Sequence, residues 1–558
     1  MTSPVGAGID VGNSTTEVVL GRLTPDGLEV VATGRAPTRR TKGSVESLDG
    51  AAALVRRLER QSCVQAAWAV AAPLRPVQST SGTLPEEAAV TGRLWLARSG
   101  AGTAGGHGVG VGIPVRFGAA LSGDERVVVV VPAGTGYATA ASGLARVLAT
   151  GRLAAVLVED DEGVLVANRL DVDVPVVDEV DATAVLHADR VAVEVAGDGR
   201  PLRLLPDPLR LVAELGLSDG ELHDAAGLAP LLHDSTVAVV AVGGAPVRTP
   251  RDSGGWIDVH GHGRLDFLTG HEQVTAGPVG HARGYALPPS AIPCAVDDLW
   301  TVDLAAVGAA VQARRGGPVS RPVGVAALRA DAPCADPSAA LADRLAIPVH
   351  LMSSESAAAR AGGLSTPGAG DDTTIIDLGG GTVDAVSATS TVVAAGAGEL
   401  LTLSVAALTG ASAAAAEWVK RGPAHRVEAP QLLLGEDGSR SFLERPVPAD
   451  AVGMLIARGP AGLLPFHRTM APGEWRALRL RLKVDLIGGN VARALRTLGE
   501  VPRAVVVVGG PAGDDEVLAA VGGALPAGTA VGRGNVGGSV GHRYAVAYGL
   551  LCLTATDR

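Results

Sequence analysis

The chain has 558 residues, a length at which a single hydrophobic core no longer suffices, so several domains are expected. Its formal net charge of −11 argues against a nucleic-acid partner, which would need a basic surface. Its 4 cysteines are scattered without a C-x-x-C pair, so they indicate neither a zinc site, nor an iron–sulfur cluster, nor a disulfide framework.

Composition also indicates a fold class. Hydrophobic residues make up 47% of the chain but aromatic residues only 3%, so its cores must be built from Ala, Val and Leu. That composition suits an α/β protein whose parallel strands are buried on both faces. No basic segment followed by an apolar run marks a signal peptide, and the apolar window 127–145 is interrupted by Pro132, Gly134 and Gly136. We therefore expect a cytoplasmic protein with no membrane partner.

The chain opens with a predicted three-stranded meander over residues 5 to 33. Its first turn follows Ile9-Asp10-Val11 and reads Gly12-Asn13-Ser14-Thr15 before β-branched residues resume, which is a hairpin pattern. Far downstream, residues 376–386 repeat the pattern with Asp377 and the turn Gly379-Gly380-Gly381-Thr382. Turns lined by small residues expose backbone N–H groups that bind anions. Two such turns facing each other would hold a nucleotide's phosphates, with each Asp near the associated Mg²⁺.

The middle of the chain has a different character. A Gly-rich run at 99–110 contains Thr103 and is either a flexible loop or an anion cradle. A predicted βαβ unit over 127–158 ends in the acidic cluster Glu159-Asp160-Asp161-Glu162, and Asp178 follows shortly after. These carboxylates form either a solvated turn or a site for a hard cation.

The last part contains further candidates. A helical pattern returns at Asp297, and Glu355 begins an Ala-rich helix. Glu417 and Lys420 lie three residues apart, so they share a helix face and would contact a ribose and a base if they lined a cleft. An apolar strand then runs into Gly509-Gly510-Pro511, and Arg543 precedes a closing helix of small residues.

Five features, in this order along the chain, resemble the ATPase core of actin, sugar kinases and heat-shock chaperones. They are the two hairpins, the Ser-Glu-Ser-Ala-Ala-Ala helix at 354–359, the Glu417/Lys420 pair and the Val-Gly-Gly turn at 508–510. Most of the chain, including the segment inserted into this core, resembles the large subunit of diol dehydratase and glycerol dehydratase reactivating factors. That resemblance is carried by Gly8–Val18, the segments 163–170 and 175–180, and the Gly-Arg-Gly-Asn-Val run at 532–536.

The resemblance implies an α/β fold with a duplicated actin-like (ribonuclease H-like) ATPase core and an inserted α/β swivelling domain. Four segments are then expected: 1–85 as the first part of the core, 86–258 as the inserted domain, 259–295 as a linker, and 296–558 as the rest of the core. It further implies a chaperone-like ATPase that binds ATP, ADP and Mg²⁺ and acts with a small subunit. The complex would release damaged cobalamin from an adenosylcobalamin-dependent diol or glycerol dehydratase.

Site residues carry over position by position. The family's phosphate contacts fall on Asn13, Ser14 and Thr15, and by superfamily analogy the turn Gly379, Gly380, Gly381, Thr382 faces them. Its nucleoside contacts fall on Glu417, Lys420, Gly510, Pro511 and Arg543, and its magnesium ligands in the inserted domain fall on Thr103, Asp161 and Asp178. Asp10 and Asp377 would serve the nucleotide's Mg²⁺, and Glu355 would orient the attacking water.

One departure from the family pattern concerns Pro511, which stands where a Ser is usual. The substitution removes a backbone donor and a hydroxyl from the expected nucleotide contact. Other classes with the same core stay open: a sugar or small-acid kinase, although the chain shows no convincing general-base Asp at a sugar pocket, and an actin-type filament protein. The scattered cysteines disfavour an activator that carries an iron–sulfur cluster.

Overall fold

The structure is a computed structural model that describes residues 3–25, 27–85, 90–100, 104–170, 173–197, 200–232, 235–244, 255–287, 290–311, 320–330 and 334–556. The chain forms two compact units. Unit 1 comprises Met1–Leu84, Asp252–Val311 and Pro322–Arg558, and unit 2 comprises Pro85–Arg251 and Gln312–Arg321.

The elements of the first segment, in chain order, are β1 (Val5–Val11), β2 (Thr15–Thr24), β3 (Gly27–Pro37), α1 (Val45–Ser62), β4 (Trp68–Ala71) and β5 (Val77–Pro85). The predicted meander is confirmed, since β1, β2 and β3 pair antiparallel in sequence. Helix α1 begins where the Ser44 hydroxyl accepts a hydrogen bond from the backbone N–H of Ser47, and it ends at Cys63 in the left-handed conformation.

Unit 2 is an α/β unit. Its elements are β6 (Val90–Thr91), β7 (Leu94–Gly100), β8 (Ala104–Gly105), β9 (Gly108–Arg116), β10 (Val127–Val131), α2 (Tyr137–Ala149), β11 (Leu153–Val158), α3 (Gly163–Leu170), β12 (Val176–Val177), α4 (Ala182–Val185), β13 (Arg190–Val195), α5 (Pro208–Leu215), α6 (Leu222–Leu228) and β14 (Val237–Val242). They build one nine-stranded sheet in the order β6-β7-β14-β13-β9-β10-β11-β12-β8. The predicted βαβ unit is confirmed as β10, α2 and β11, whose strands pair in parallel.

The Gly-rich run of unit 2 is partly a strand. Residues 108–110 begin β9, which pairs with β10 and β13. Gly110 is required there because a Cβ at this position would overlap the carbonyl oxygen of Ala154. The loop interpretation is therefore wrong for residues 108–110, while residues 101–103 lie outside the described part of the chain.

The remaining elements belong to unit 1. They are β15 (Trp256–Val259), β16 (Gly263–Asp266), α7 (Phe267–Ala276), β17 (Ala282–Leu287), β18 (Ser290–Asp303), α8 (Leu304–Val311), β19 (Ser320–Arg329), α9 (Pro337–Leu345), β20 (Val349–Leu351), α10 (Glu355–Leu364), β21 (Thr374–Leu378), β22 (Thr382–Val386), β23 (Thr391–Ala395), α11 (Gly398–Thr409), α12 (Ala413–Val419), β24 (Ala424–Ala429), β25 (Leu432–Leu434), β26 (Arg440–Phe442), β27 (Leu455–Gly459), β28 (Gly462–His467), α13 (Pro472–Leu482), α14 (Gly489–Leu498), β29 (Ala504–Val508), α15 (Asp515–Ala524), β30 (Ala530–Arg533) and α16 (Ala545–Thr556).

Two sheets of unit 1 have the same topology, which confirms the predicted duplication. One runs β20-β4-β1-β2-β3 and the other β30-β29-β21-β22-β23. In each, three antiparallel strands adjoin two parallel ones, because β1 pairs in parallel with β4 and β21 pairs in parallel with β29. Each copy therefore presents its first hairpin turn at the same edge of its sheet.

Helices α10 and α16 pack against each other and against both sheets. A Cβ at Gly362 of α10 would overlap the carbonyl oxygen of Ala545, and a Cβ at Gly549 of α16 would overlap that of Ala358. The two glycines therefore let the helix backbones approach closely. One buried cluster joins these helices to residues of both sheets, including Val19 and Ile375.

Residues 259–295, predicted to be a linker, are instead folded. They contribute β16, β17 and part of β18 to a six-stranded sheet in the order β16-β15-β17-β18-β19-β5, and they also form α7. Strand β18 continues to Asp303, where the sequence predicts a helix from Asp297. Residues 298–302 are all buried, and a continuous buried run carries no periodicity that separates a strand from a helix.

In the part of the chain that the structure describes, no single helix is long and apolar enough to cross a membrane. Among the same residues, α11 and α12 taken as one segment would be long and apolar enough, but the two helices are bent by 107° relative to each other. Both helices contribute residues to a buried cluster, among them Leu400, Val405 and Val419.

Candidate functional site

The first hairpin turn, between β1 and β2, is closed by a backbone hydrogen bond from Gly12 N to Thr15 O of 2.9 Å. All three predicted phosphate-binding side chains donate to carboxylates. Asn13 Nδ2 and Ser14 Oγ donate to Glu399 at 2.9 and 3.1 Å, and Thr15 Oγ1 donates to Glu17 at 2.7 Å. The turn therefore presents donor groups that bind anionic oxygens.

The second turn, between β21 and β22, has the same closure, with a 2.9 Å bond from Gly379 N to Thr382 O. It faces the first turn directly. A Cβ at Gly380 would lie 3.0 Å from Ser14 Cβ, and a Cβ at Gly381 would lie 3.0 Å from Asn13 Cγ. The absence of side chains at these positions is thus what lets the two turns meet.

The turns border a cavity of about 490 Å³ in unit 1. Fifteen side chains or backbone positions singled out from the sequence line it: Asp10, Asn13, Ser14, Thr15, Glu355, Asp377, Gly379, Gly380, Gly381, Thr382, Glu417, Lys420, Gly510, Pro511 and Arg543. The structure thus brings together every predicted phosphate, nucleoside and catalytic residue. The volume of the cavity lies within the range of small-molecule sites.

Each hairpin places a second carboxylate opposite its Asp, a feature that the sequence analysis missed. Asp10 faces Glu17 across β1 and β2, and Asp377 faces Asp384 across β21 and β22. Like charges opposite each other in a sheet are destabilising. Burial and then Glu355 raise the pKa of Asp10 well above its ordinary value, and burial and then Asp384 do the same for the pKa of Asp377.

Asp384 is buried, and burial followed by the charge of Glu355 raises its pKa to about 6. Its Oδ2 accepts a 2.9 Å hydrogen bond from Ser356 Oγ, while its buried Oδ1 has no hydrogen-bond partner among the described residues. Asp384 lies on a second cavity that shares Lys42, Glu355 and Thr382 with the first. The centre of unit 1 therefore carries excess negative charge that a cation would relieve.

Lys42 is the one lysine in the lining of the cavity that the sequence analysis did not identify. It is 7% exposed, and its Nζ donates to both carboxylate oxygens of Glu355, at 2.9 and 3.2 Å. Burial alone would lower the pKa of Lys42, but the carboxylates of Glu355 and Asp10 outweigh it and raise the pKa. Only its basic type marked Lys42 in the sequence, since it precedes α1 in a loop without a motif.

Lys420 also lines the cavity, and its Nζ donates to Glu417 Oε2 at 2.6 Å, to Thr402 Oγ1 and to Gly398 O. Burial lowers the pKa of Lys420 more than Glu417 raises it. For Glu417, burial would raise the pKa, but the charge of Lys420 and the hydrogen bonds from Lys420, Thr402 and Arg421 together lower the pKa. The spacing of three residues thus forms the predicted pair and directs it at the cavity.

The strand-end turn after β29 completes the lining. Gly509 has φ of +89°, and a Cβ there would overlap the carbonyl oxygen of Leu378. Pro511 begins a short 3₁₀ turn, Pro511–Gly513, and the Arg543 guanidinium donates to Gly510 O at 3.4 Å. His542 also lines the cavity; burial and the neighbouring Arg543 lower its pKa to about 4, so it is neutral at pH 7.

The predicted magnesium ligands of the inserted domain lie in unit 2. Asp178 is buried and accepts a 3.2 Å hydrogen bond from Gly163 N, whereas Asp161 is exposed. Thr103 lies outside the described residues. Glu159 and Asp160 accept hydrogen bonds from Ala133 N and Gly134 N at 2.9 and 2.7 Å. Within the described ranges, no three His, Cys, Asp or Glu residues form a group suited to a metal ion.

Comparison with known proteins identifies both parts of the chain. A family model described as "Diol dehydratase reactivase ATPase-like domain" matches residues 293–554, and one described as "DD-reactivating factor swiveling domain" matches residues 99–251. Two solved structures, of a diol dehydratase-reactivating factor in nucleotide-free form and of a glycerol dehydratase reactivase, have TM-scores of 0.62 and 0.60. Each is 26% identical to this chain, with 100% of both chains covered.

Curated relatives match along almost the whole length. The propanediol dehydratase-reactivating factor large subunit of Citrobacter freundii is 29% identical, and the diol dehydratase-reactivating factor large subunit of Klebsiella michiganensis is 30% identical. Each alignment covers 98% of this chain and 98% of the relative. These matches show that this chain belongs to the family of diol dehydratase-reactivating factor large subunits.

Proposed function

We propose that this chain is the ATP-hydrolysing large subunit of a reactivating factor, which acts in the cytoplasm with a small subunit. The complex docks on an adenosylcobalamin-dependent diol or glycerol dehydratase whose coenzyme has been damaged, and it releases the cobalamin so that intact coenzyme can enter. Family membership supports the target. The observation that carries the ATPase assignment is the meeting of two glycine-lined turns at one cavity.

ATP and ADP bind in this cavity. The phosphates lie at the two turns, where Asn13, Ser14 and Thr15 face the backbone of the glycine turn. The nucleoside lies at the other side, between the Glu417/Lys420 pair and the Gly510, Pro511 and Arg543 positions. Pro511 lines the cavity and offers the nucleoside an apolar ring contact instead of a hydroxyl.

Asp10 and Asp377 are suited to hold the Mg²⁺ that accompanies the nucleotide. Their raised pKa values express how poorly they tolerate ionisation without a cation. Mg²⁺ dehydrates reluctantly, so carboxylates beside these turns would hold it through waters. The ion would supply charge neutralisation at the phosphate oxygens.

Glu355 orients the attacking water, and Lys42 holds Glu355 in place through its two hydrogen bonds. The Lys42 ammonium also faces the region where negative charge grows during phosphoryl transfer. Such catalysis consists of positioning and electrostatic stabilisation, without a covalent intermediate.

Unit 2 carries a second Mg²⁺ site, formed by Thr103, Asp161 and Asp178, at the surface that receives the small subunit. One hydroxyl and two carboxylates are oxygen donors of the kind Mg²⁺ prefers. The ATP and ADP forms differ in affinity for the dehydratase, since only a differential affinity lets a nucleotide shift a binding equilibrium.

The test combines the chain, its small subunit and an adenosylcobalamin-dependent dehydratase that has been inactivated by turnover. Recovery of dehydratase activity after addition of ATP, Mg²⁺ and fresh coenzyme is expected. Glu355→Gln should slow ATP hydrolysis by about 100-fold or more, the usual contribution of a positioned acid or base, and should abolish recovery.

The matched control is Glu29→Gln, which removes the same charge from an exposed position on β3 and should leave both rates unchanged. Recovery that proceeds without any nucleotide would contradict the proposal. So would rapid stoichiometric phosphorylation of a polyol by this chain, because that result would assign it to the kinases of the same superfamily.

A further inference from the structure

Glu399 is bonded to both phosphate turns at once. Its Oε2 accepts a 2.9 Å hydrogen bond from Asn13 Nδ2, and its Oε1 accepts a 3.1 Å bond from Ser14 Oγ. Its backbone N–H donates to Gly380 O of the second turn at 2.8 Å. This half-buried residue at the start of α11 thereby ties the two turns together.

The donors of Asn13 and Ser14 are fully used by these contacts. An amide has two N–H bonds, and those of Asn13 go to Val77 O at 2.5 Å and to Glu399. A serine hydroxyl has one hydrogen, and that of Ser14 goes to Glu399. Neither side chain can therefore donate to a phosphate while Glu399 stays in place.

Carboxylate and phosphate oxygens are chemically similar acceptors, and both form strong hydrogen bonds with such donors. They are also both negatively charged, so a phosphate placed at the first turn would repel the Glu399 carboxylate. The two anions therefore compete for one set of groups.

We propose that Glu399 is an internal competitor for the phosphate subsite: its carboxylate occupies Asn13 and Ser14 until a nucleotide displaces it, and it thereby lowers nucleotide affinity. The inference rests on the proposed nucleotide site. When the competent arrangement is only a fraction of the free protein, the apparent Kd rises by the inverse of that fraction.

The displacement also loosens the link between the turns. With the carboxylate removed from Asn13 and Ser14, Glu399 no longer contacts the first turn, while the backbone bonds from Glu399 N to Gly380 O and from Gly398 N to Gly379 O keep the start of α11 at the second turn. Gly398, the residue before Glu399, accepts a hydrogen bond from Lys420 through its carbonyl oxygen. The start of α11 therefore connects the phosphate subsite with the proposed nucleoside contact at Lys420.

The test is calorimetric titration of the full chain with ADP, with ATP and with inorganic triphosphate, all with Mg²⁺. Glu399→Gln should lower each Kd about 5- to 10-fold, because a neutral amide competes less strongly for the two donors. Glu399→Asp, which keeps the charge but shortens the side chain, should also tighten binding. Glu46→Gln is the control, since it removes an equivalent charge from the first turn of α1.

A double-mutant cycle with Ser14→Ala identifies the competition. The gain from Glu399→Gln should shrink in the Ser14→Ala background, where one contested donor is gone. Unchanged or weaker binding by both Glu399 variants, with normal thermal melting and measurable binding by the wild type, would overturn this inference alone. Absence of nucleotide binding by the wild type would overturn the proposed function together with the inference.

Discussion

Lys42 shows how one residue can matter without belonging to a motif. It is buried, and its positive charge offsets the nearby carboxylates of Glu355, Asp10 and Asp384. Removing one partner of a buried ion pair leaves the other charge uncompensated. Lys42 is therefore expected to affect both hydrolysis and stability.

Lys42→Met should slow single-turnover ATP hydrolysis by about 10²- to 10³-fold, the effect typical of deleting one group that stabilises transition-state charge. ADP affinity should change by only a few-fold, because Lys42 is not among the residues proposed to contact the nucleoside. Rapid-quench measurement of phosphate release and calorimetry of ADP binding separate the two effects.

Arg22→Gln is the control for Lys42→Met, since Arg22 forms only a 3.6 Å surface ion pair with Glu29. Hydrolysis at the wild-type rate by Lys42→Met would show that the ion pair with Glu355 is structural only.

At the scale of elements, the sequence predicts the two hairpins well. It does not predict which residue of the second strand of each hairpin lies opposite the Asp of the first. The pattern of an Asp followed by a small-residue turn predicts both hairpins and both turns. The register that sets Glu17 opposite Asp10 and Asp384 opposite Asp377 depends on strand pairing. Turn closure between Gly379 and Thr382 fixes that register in the second hairpin.

Asp384→Asn should stabilise unit 1 at high pH. The pKa of Asp384 is raised to about 6 in the folded protein from an ordinary value near 4. Its contribution to the free energy of unfolding is therefore fully present below about pH 4 and is lost as the pH rises through 6. The variant should therefore gain about 2 kcal/mol more relative to the wild type at pH 8 than at pH 4.5, since a difference of one between the folded and unfolded pKa corresponds to about 1.4 kcal/mol.

Chemical denaturation followed by circular dichroism, in EDTA so that no divalent cation pairs with the carboxylates, measures this difference. An equal stability difference at the two pH values would show that Asp384 does not titrate in this range.

Strands without periodicity are where element prediction failed. Residues 298–302 of β18 are buried throughout, and Asp298 is held there by hydrogen bonds with Gly280 N and with Arg493. A buried Asp in a strand has no sequence signal, because its partners are distant along the chain. Residues 259–295 hold the short strands β16 and β17, which pair with β15, and the sheet they join is completed by the more distant strands β19 and β5.

At the scale of the whole molecule, the division into two units separates two proposed tasks. Unit 1 contains the nucleotide cavity, and unit 2 contains Asp161 and Asp178. The sequence-based boundary at residue 85 lies beside the structural boundary between Leu84 and Pro85. A substitution in unit 2 should therefore leave nucleotide binding intact.

Asp161→Ala should weaken Mg²⁺ binding to unit 2 and binding of the small subunit by about tenfold or more, while ATP affinity stays at the wild-type value. Equilibrium dialysis with Mg²⁺ and co-purification with the small subunit give the two readouts. Asp124→Ala, an exposed position of the same unit, should change neither. Loss of ATP binding in Asp161→Ala would contradict the assignment of this metal site to unit 2.

Local patterns of small, acidic and β-branched residues in the sequence predicted the two hairpin turns, the α/β class and the duplication. The family resemblance, also read from the sequence, assigned the nucleoside contacts among the fifteen positions that line one cavity. Only the tertiary structure decided that Glu399 occupies the donors of the first turn, that Lys42 neutralises Glu355, and that Asp384 stands opposite Asp377. These relations join residues up to 386 positions apart. Contacts at such separation arise from how sheets and helices pack, and packing leaves no local pattern in the chain.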